Sequence, residues 1–296
     1  MRLGIDLGGT KIEIIAMDEK SGELLRRRVL TPQDYAGALW AIADLVQQTE
    51  AELGCSGTVG IGTPGAISRV TGRLKNSNSL HLNGQAILQD LESLLKREVR
   101  IANDANCFAL SEAVDGAAAG AAVVFGVIIG TGTGAGIVVN GRLLTGPNGI
   151  AGEWGHNPLP WPEDAERPGP ACYCGRHGCI ETFLSGPGMA KLHRHDTGEM
   201  LDPETIVERA AAGDALCELT LQRYENRLAR SLALVINILD PDVIVLGGGM
   251  SNIGRLYENV PRLWGRYVFS DQVDTRLVRN QFGDSSGVRG AARLWE

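Results

Sequence analysis

The sequence has 296 residues, of which 44% are hydrophobic and 21% charged, and its formal net charge is −7. This length allows one large or two medium domains with a sizeable core, and the composition is that of an ordinary globular protein. The acidic balance argues against a general nucleic-acid or membrane-surface binder, because such proteins carry basic patches.

The six cysteines indicate a reducing compartment. Three of them fall between positions 172 and 179, and the others, Cys55, Cys107 and Cys217, are predicted to be small core residues. The spacing of the six cysteines is not that of a disulfide framework. Because Asp6 follows the first methionine so closely, no secretory signal is expected, and a cytoplasmic location is predicted.

The first part of the chain alternates strands and helices. Apolar runs bounded by turns predict strands over 3–7, 12–17, 23–29, 58–62 and 99–102. Apolar residues at helical spacing predict helices over 32–53, 85–96 and 107–114. A polar loop rich in Asn and Ser fills positions 75–84.

The pattern then starts again. Strands are predicted over 123–130, 135–140 and 243–246, a long helix over 215–239, and a capped helix over 288–294 that packs back on the first half. Asn140-Gly141 predicts a hairpin turn. The segments 4–10 and 126–132 can be overlaid as strand and glycine turn, which predicts a duplicated fold of mixed sheets with a cleft between its halves.

One uncharged run, 116–141, is long enough to cross a bilayer. It contains eight glycines, however, which disfavour a stable helix. Two buried strands joined by a glycine loop are predicted there instead.

Three glycine turns follow predicted strands, at 8–11, 130–136 and 247–249. Backbone N–H groups in such turns bind phosphate oxygens, and the missing Cβ atoms permit close approach. None has the spacing of a Walker loop. Two of the turns occupy equivalent places in the two halves, which predicts a nucleotide polyphosphate bound across the cleft.

Carboxylates follow two of the strands. Strand ends that face a cleft are where α/β proteins place reacting groups, and phosphoryl transfer to an alcohol uses a carboxylate near the hydroxyl. Asp104 is therefore predicted to be a catalytic base, although Asn103 or Asp104 can instead cap the next helix. Asp6, beside the first glycine turn, is expected either to bind Mg²⁺ or its water or to stabilise the turn.

Cys172, Cys174 and Cys179 lie within eight residues, with glycines that let the loop fold back. Three thiolates and one imidazole complete a structural zinc site. His156 is favoured over His177 as the fourth ligand, because His177 lies inside the tight turn. The alternative is a set of buried structural cysteines without a metal.

Two carboxylates, Glu153 and Glu181, flank these ligands, and a purely structural zinc does not need them. They are expected to orient His156 or to hold something polar beside the metal. The segment therefore predicts a scaffold that recognises a hydroxyl-rich ligand.

Together these motifs resemble the ROK family (repressor, open reading frame, kinase) of bacterial sugar kinases. The resemblance covers almost the whole chain and rests on the segments 6–11, 103–106, 130–136, 153–156, 172–181 and 247–249. The stretches 103–120, 153–160 and 240–251 are especially similar to ROK fructokinases, or manno(fructo)kinases.

The resemblance implies an α/β fold of the actin-like ATPase (ribonuclease H-like) type, with two domains that close on ATP and Mg²⁺. The smaller domain is predicted to comprise residues 1–117 and 285–296, and the larger one, with the zinc motif, residues 118–284.

The resemblance also implies the site residues, with Asp104 as catalytic base. The implied sugar contacts are Gly65, Asn78, Asn103, Asp104, Glu153, His156 and Glu181. The implied zinc ligands are His156, Cys172, Cys174 and Cys179. The predicted nucleotide contacts are Gly4, Ile5, Asp6, Leu7, Gly8, Gly9, Thr10, Lys11, Gly130, Thr131, Gly132, Thr133, Gly134, Ala135, Gly136, Ile137, Gly247, Gly248 and Gly249.

The implied activity is ATP-dependent phosphorylation of a hexose, D-fructose at its 6-hydroxyl, with mannose as a further substrate. The alternatives are a kinase for another hexose, such as glucose or an N-acetylhexosamine, and a ROK-type sugar-binding regulator without catalysis. A repressor of this family would carry an additional N-terminal DNA-binding domain, for which the strand at Leu3 leaves no room. The expected partners are the hexose and ATP, with no nucleic acid or membrane, and a homodimer is possible.

Overall fold

The computed structural model describes residues 1–77 and 79–296. Its strands are β1 (Arg2–Leu7), β2 (Lys11–Met17), β3 (Glu23–Leu30), β4 (Thr58–Thr63), β5 (Ala66–Ile67), β6 (Leu74–Lys75), β7 (Val99–Asn103), β8 (Val123–Ile129), β9 (Thr133–Val139), β10 (Arg142–Leu143), β11 (Val243–Gly247) and β12 (Arg276–Arg279). Its α-helices are α1 (Tyr35–Leu53), α2 (Ile87–Leu95), α3 (Asp104–Val114), α4 (Ile180–Leu184), α5 (Gly186–Thr197), α6 (Pro203–Ala211), α7 (Ala215–Leu239), α8 (Leu256–Trp264) and α9 (Ser286–Ala292).

Two mixed sheets share one topology. The first has the strand order β3-β2-β1-β4-β7 and the second the order β10-β9-β8-β11-β12. In each sheet the first three strands pair antiparallel, and the last two join in parallel. The predicted duplication is confirmed, and the architecture is the actin-like ATPase fold.

Helices cover both faces of each sheet. In the first half, apolar side chains of β1 and β2 pack against α1 and α2. In the second half, Phe125, Val127 and Ile129 of β8 pack against α4 and the long helix α7. Each buried strand therefore contributes to a core on a face that helices cover, as expected for parallel pairs in α/β proteins.

The helices α3 and α9 cross between the two sheets. Although α3 follows the last strand of the first sheet, Phe108 and Ala109 of α3 pack against strands of the second sheet. Conversely, Val288 and Ala292 of α9 pack on the first sheet. The helix expected near the end of the chain therefore does pack back on the first half, whereas the domain boundaries at 117/118 and 284/285 stay predictions.

Several predicted boundaries shift because side chains cap the helices. Helix α1 begins at Tyr35 and not at 32, since the Asp34 side chain accepts a hydrogen bond from Gly37 N. Helix α3 begins at Asp104 and not at 107, because Asn103 caps it. The prediction of a capped last helix is wrong in one respect, since Ser285 makes no side-chain cap hydrogen bond to α9.

Other local predictions can be checked directly. Asn140 and Gly141 both have positive φ, 50° and 75°, as a tight hairpin between β9 and β10 requires. Cys107 and Cys217 are buried, but Cys55 is exposed, so its predicted core position is wrong. In the part of the chain that the structure describes, no helix combines the length and the apolar character needed to cross a membrane.

Candidate active site

The ends of β1, β4 and β7 bring the first group of site residues together at one edge of the first sheet. Asp6 lies in register with Gly62, and Thr63 lies in register with Asn103. Asn103 accepts a hydrogen bond from Ala105 N at 2.9 Å and donates from Nδ2 to Gly65 O at 3.1 Å. Gly65 has a φ of 86°, and a Cβ there would approach Lys75 O to 2.4 Å, so this turn needs glycine.

Asp104 forms the first turn of α3. Its Oδ1 accepts a hydrogen bond from Ala105 N at 2.9 Å, so it shares the capping of the helix with Asn103. Burial raises the pKa of the Asp104 carboxyl, although its hydrogen bonds lower it in part. The carboxylate is therefore a stronger base than an ordinary aspartate.

Asp6 lies near Asp104 at the same edge. Burial raises the pKa of Asp6 to about 7, and the negative charges of Asp104 and Glu13 add to this effect. A buried carboxylate whose pKa is raised by a neighbouring carboxylate is a candidate site for a cation or for proton transfer.

The three predicted glycine turns follow β1, β8 and β11. The first and second turns close with the hydrogen bonds Gly8 N to Lys11 O and Gly130 N to Gly132 O. In the third, Gly248 has a φ of 79°, and a Cβ there would lie 2.5 Å from Ile129 O at the end of β8. The second and third turns are thus packed together at the ends of neighbouring parallel strands.

The predicted nucleotide contacts divide into exposed turn residues and buried strand residues. The residues open to solvent, fully or in part, are Asp6, Gly8, Gly9, Thr10, Lys11, Gly130, Thr131, Gly132, Gly134, Ile137, Gly248 and Gly249. Those buried in strands or at strand ends are Gly4, Ile5, Leu7, Thr133, Ala135, Gly136 and Gly247. The glycines among the second set make room for helices, since a Cβ at Gly4 would meet α9 and one at Gly136 or Gly247 would meet α3.

The four predicted zinc ligands converge. The ligand atoms of His156, Cys172, Cys174 and Cys179 all lie within 4.8 Å of one another. His156 Nδ1 is 3.5 Å from Cys172 Sγ, and the Sγ atoms of Cys174 and Cys179 are 3.6 Å apart. Ligands about 2.3 Å from a tetrahedral zinc would be about 3.8 Å from one another, so this donor set fits the ion.

His177 does not join this cluster among the described residues. It is exposed, and its backbone forms a β-bridge with Ala171 in the turn that carries the cysteines. The choice of His156 over His177 follows from this geometry, because His156 comes from a separate 3₁₀ turn, Trp154–His156.

Glu181 joins the cysteine cluster to the second glycine turn. It lies in the first turn of α4, whose N-cap is Cys179, and its Oε2 accepts a hydrogen bond from Thr133 N at 2.9 Å. Loss of hydration raises the pKa of Glu153. The charges of Asp104 and Glu181 raise it further, whereas His156 lowers it, so Glu153 lies near all three residues. The structure thus brings Asp104, Glu153, His156 and Glu181 into one polar group.

Two further residues bear on the candidate site. The predicted sugar contact Asn78 lies outside the residues that the structure describes. Tyr173 was not predicted, yet its Oη lies 2.9 Å from Nε2 of His156. The sequence signal for it is its position between Cys172 and Cys174, two of the predicted zinc ligands.

Comparison with known proteins identifies the family. The ROK family pattern matches residues 2–296. The chain belongs to the ROK family. An N-acetyl-D-glucosamine kinase of Photobacterium profundum is 41% identical over 299 residues, covering 99% of both chains.

Solved ROK structures share the fold. A ROK hexokinase from Thermus thermophilus is 31% identical, with a TM-score of 0.87. The match covers 98% of this chain and 96% of the hexokinase chain. A Streptomyces griseus ROK glucokinase, solved with glucose and AMPPNP, is 26% identical, with a TM-score of 0.80 and coverage of 99% and 98%. This ROK protein is therefore grouped with the sugar kinases of the family, whereas the predicted closeness to fructokinases is not confirmed.

Proposed function

We propose that this ROK protein transfers the γ-phosphoryl group of ATP to the 6-hydroxyl of a hexose. One observation carries the proposal: the half-buried Asp104, with its raised pKa, lies in one polar group with Glu153, His156 and Glu181. A sugar hydroxyl at this place would meet a carboxylate base, and the neighbouring side chains would bind the other hydroxyls.

Asp104 would take the proton of the attacking hydroxyl. One of its oxygens is held by Ala105 N, which fixes the carboxylate without consuming its second oxygen. Loss of hydration strengthens the base, as general base catalysis near neutral pH requires. Asn103, tied to Gly65 O, would hold a sugar hydroxyl beside it.

The glycine turns would hold the nucleotide. Their exposed backbone N–H groups suit phosphate oxygens, and the turns come from both halves of the fold. Mg²⁺, when bound, neutralises charge on the phosphates, and Asp6 is the carboxylate placed to hold the ion or its water.

Zinc would be held by His156, Cys172, Cys174 and Cys179 as a structural ion. The ion would fix the segment that carries His156 and Glu181, and so would position two of the proposed sugar contacts. The cluster lies beside the reacting carboxylate and needs no part in the transfer itself.

The relatives narrow the choice of sugar. N-acetyl-D-glucosamine is the first candidate in place of fructose, because the 41%-identical relative is a kinase for that sugar. D-Fructose, the sugar expected from the sequence, is not retained, because the resemblance to ROK fructokinases is not confirmed and this relative acts on a different sugar.

The test is coupled ADP release with ATP and Mg²⁺ on zinc-loaded protein. The sugar panel is N-acetylglucosamine, fructose, mannose, glucose and N-acetylmannosamine, and the Asp104→Asn variant measures any background kinase. We expect the highest kcat/KM with N-acetylglucosamine. An optimum with any other sugar would contradict N-acetylglucosamine as the substrate and leave the mechanism in place, whereas binding of a sugar without turnover would contradict the kinase and favour a regulator.

A further inference from the structure

Glu112, in the last turn of α3, is a fully buried carboxylate with 0% of its surface exposed. The hydrogen bonds that it accepts come from neutral groups: Ala117 N at 2.9 Å, Gln281 N at 3.0 Å, Phe282 N at 3.4 Å and Ser286 Oγ at 2.7 Å. A buried charge usually pairs with an opposite charge, because the loss of hydration is costly. Glu112 relies instead on these neutral donors, so they must stay in place for the carboxylate to stay buried.

The donors belong to the two segments that join the halves of the fold. In the described part of the chain, the outgoing crossing, residues 115–122, leads from α3 to β8, and the returning crossing, residues 280–285, leads from β12 to α9. Ala117 lies in the outgoing crossing, and Gln281 and Phe282 lie in the returning one. One side chain therefore ties both crossings to the end of α3.

The chemistry of the carboxylate suits this position. A carboxylate offers about four acceptor sites and no donor, whereas an amide offers one oxygen and an NH₂ group that donates. Oε2 of Glu112 accepts from both crossings, at 2.9 Å from Ala117 N and 3.0 Å from Gln281 N. Oε1 lies 2.7 Å from Ser286 Oγ at the start of α9. In a glutamine at this position, the NH₂ group would replace one of these acceptors and face a donor.

Helix α3 connects the crossings with the proposed site. Its first residue is Asp104 at the edge of the first sheet, and Glu112 lies in its last turn. Between them, Phe108 and Ala109 pack on strands of the second sheet. Because a short packed helix moves as one body, the point at which its end is fastened to the crossings also determines the position of Asp104.

We propose that Glu112 is a positioning residue, which fastens both crossings to α3 and so forms the point about which the two halves turn when the cleft closes. This inference rests on the proposed function, because it assigns the closure to phosphoryl transfer at Asp104. Hinges in proteins are a few residues at the ends of elements, and their mutation often changes kcat and KM together. Glu112 would act at this distance by aligning Asp104 with the glycine turns of the second sheet.

The test compares Glu112→Gln with wild-type protein, both full length and zinc-loaded. The matched control is Glu225→Gln, because Glu225 is also buried but is bound by Arg255 within the second half. Hydrogen exchange followed by mass spectrometry reports on the two crossings. Small-angle X-ray scattering gives the radius of gyration with and without N-acetylglucosamine plus AMPPNP and Mg²⁺, and coupled ADP release gives kcat and KM.

We expect Glu112→Gln to exchange about tenfold faster or more at both crossings, the effect of one lost hydrogen bond or more. We expect the ligands to reduce the radius of gyration of the wild-type protein and to reduce that of Glu112→Gln less. Its kcat should fall at least about tenfold, because a small misplacement of reacting groups is costly, and its zinc content should not change. Glu225→Gln should match the wild-type protein in exchange at the crossings, in closure and in kcat.

Three results would overturn the inference. One is faster exchange at a single crossing with normal closure and kcat, because Glu112 would then be a local contact. Another is a wild-type radius of gyration that the ligands leave unchanged. The third is an equal effect of Glu225→Gln, which would reflect general loss of stability.

A milder variant keeps the test decisive if Glu112→Gln does not fold. Ser286→Ala removes the donor at the start of α9, and Ser231→Ala is its control, because the buried Ser231 bonds only within α7 among the described residues. Faster exchange at the outgoing crossing in Ser286→Ala, with none in Ser231→Ala, would support the inference, since Glu112 alone bonds to both places. Faster exchange confined to the returning crossing would overturn it.

The two proposals can fail separately. If the wild-type protein binds a sugar without phosphorylating it, the kinase proposal fails, and exchange and scattering still decide the role of Glu112. If the wild-type protein phosphorylates a sugar and Glu112→Gln closes and turns over normally, only the inference about Glu112 fails.

Discussion

Asp104 has two interpretations in the sequence, as a helix cap and as the proposed catalytic base, and the structure allows both. Its carboxylate shares the first free N–H group of α3 with the Asn103 side chain, and both lie at the end of β7. Capping one helix needs only one such side chain. The second side chain remains available to a ligand, so the capping interpretation and the catalytic interpretation are compatible.

The first prediction concerns this carboxylate. Asp104→Asn should keep the sugar Kd within about threefold, because the amide keeps the shape of the side chain. It should lower kcat about 10²- to 10⁴-fold, the usual range for loss of a general base. Coupled ADP release and calorimetry measure the two quantities, with the exposed surface variant Asp44→Asn as control. Near-normal turnover would remove Asp104 from this role.

The second prediction concerns the cysteine cluster. We expect Cys174→Ser to lose zinc and to weaken sugar binding by more than about tenfold, because the zinc ion and the cysteine turn would hold His156 in place. Elemental analysis and calorimetry on the same samples measure both. Cys55→Ser is the control, since Cys55 is exposed and lies outside the cluster. Retention of both zinc and sugar affinity would show that the cluster holds no metal needed by the site.

The third prediction follows from the pKa of Asp6, which the fold raises from 3.8 to about 7. Between these values the folded state holds a proton that the unfolded state has lost, so stability falls as the pH rises through this interval. We therefore expect the difference in unfolding free energy between wild-type protein and Asp6→Asn to decline from about pH 4 to pH 7. The measurement is made in the presence of a chelator, so that no bound metal ion contributes. Urea titrations at several pH values measure this difference, and a constant difference would contradict the raised pKa.

At the level of elements, α3 and α9 cross in close contact. A Cβ at Gly290 of α9 would lie 1.7 Å from Cys107 O of α3. Since this obstacle is backbone, it cannot be relieved by a side-chain rotation. The two helices are thus in contact through a glycine, and their separation is fixed by its missing Cβ.

The fourth prediction tests this crossing. An alanine usually stabilises a helix relative to glycine, by about 1 kcal/mol. Gly290→Ala should instead destabilise the protein by about 3 kcal/mol, because the helices must move apart. Gly254→Ala is the control, since a Cβ there meets no atom within 4 Å. Urea unfolding followed by circular dichroism compares them, and equal midpoints would contradict the close crossing.

Elements with strong periodicity could be predicted from the sequence, and contacts between distant segments could not. Helix α7 spans Ala215–Leu239, the range its apolar spacing predicts. The starts of α1 and α3 were misplaced, because single capping side chains, Asp34 and Asn103, decide them. The contact of Tyr173 with His156 joins two separate segments, and no local pattern reveals it.

At the scale of the whole molecule, the duplicated topology could be predicted because both halves repeat a strand and a glycine turn. The convergence of His156, Cys172, Cys174 and Cys179 could be predicted, because metal sites constrain residue type and spacing. The identity of the sugar could not, since the proposed base, the glycine turns and the cysteine cluster do not by themselves distinguish one hexose from another. Selectivity depends on the placement of a few hydrogen-bonding groups, which a motif does not encode.

The position of α9 also bears on how the protein is synthesised. Helix α9 packs directly against Gly4 and Gly60, and Trp295 Nε1 donates a hydrogen bond to Val59 O beside them. A ribosome releases these first-sheet residues before the whole second half, which α9 follows, so one face of the first sheet stays uncovered until α9 has been synthesised. The first half therefore cannot complete its packing before α9 is made, and a nascent chain depends on this distant helix for protection from aggregation.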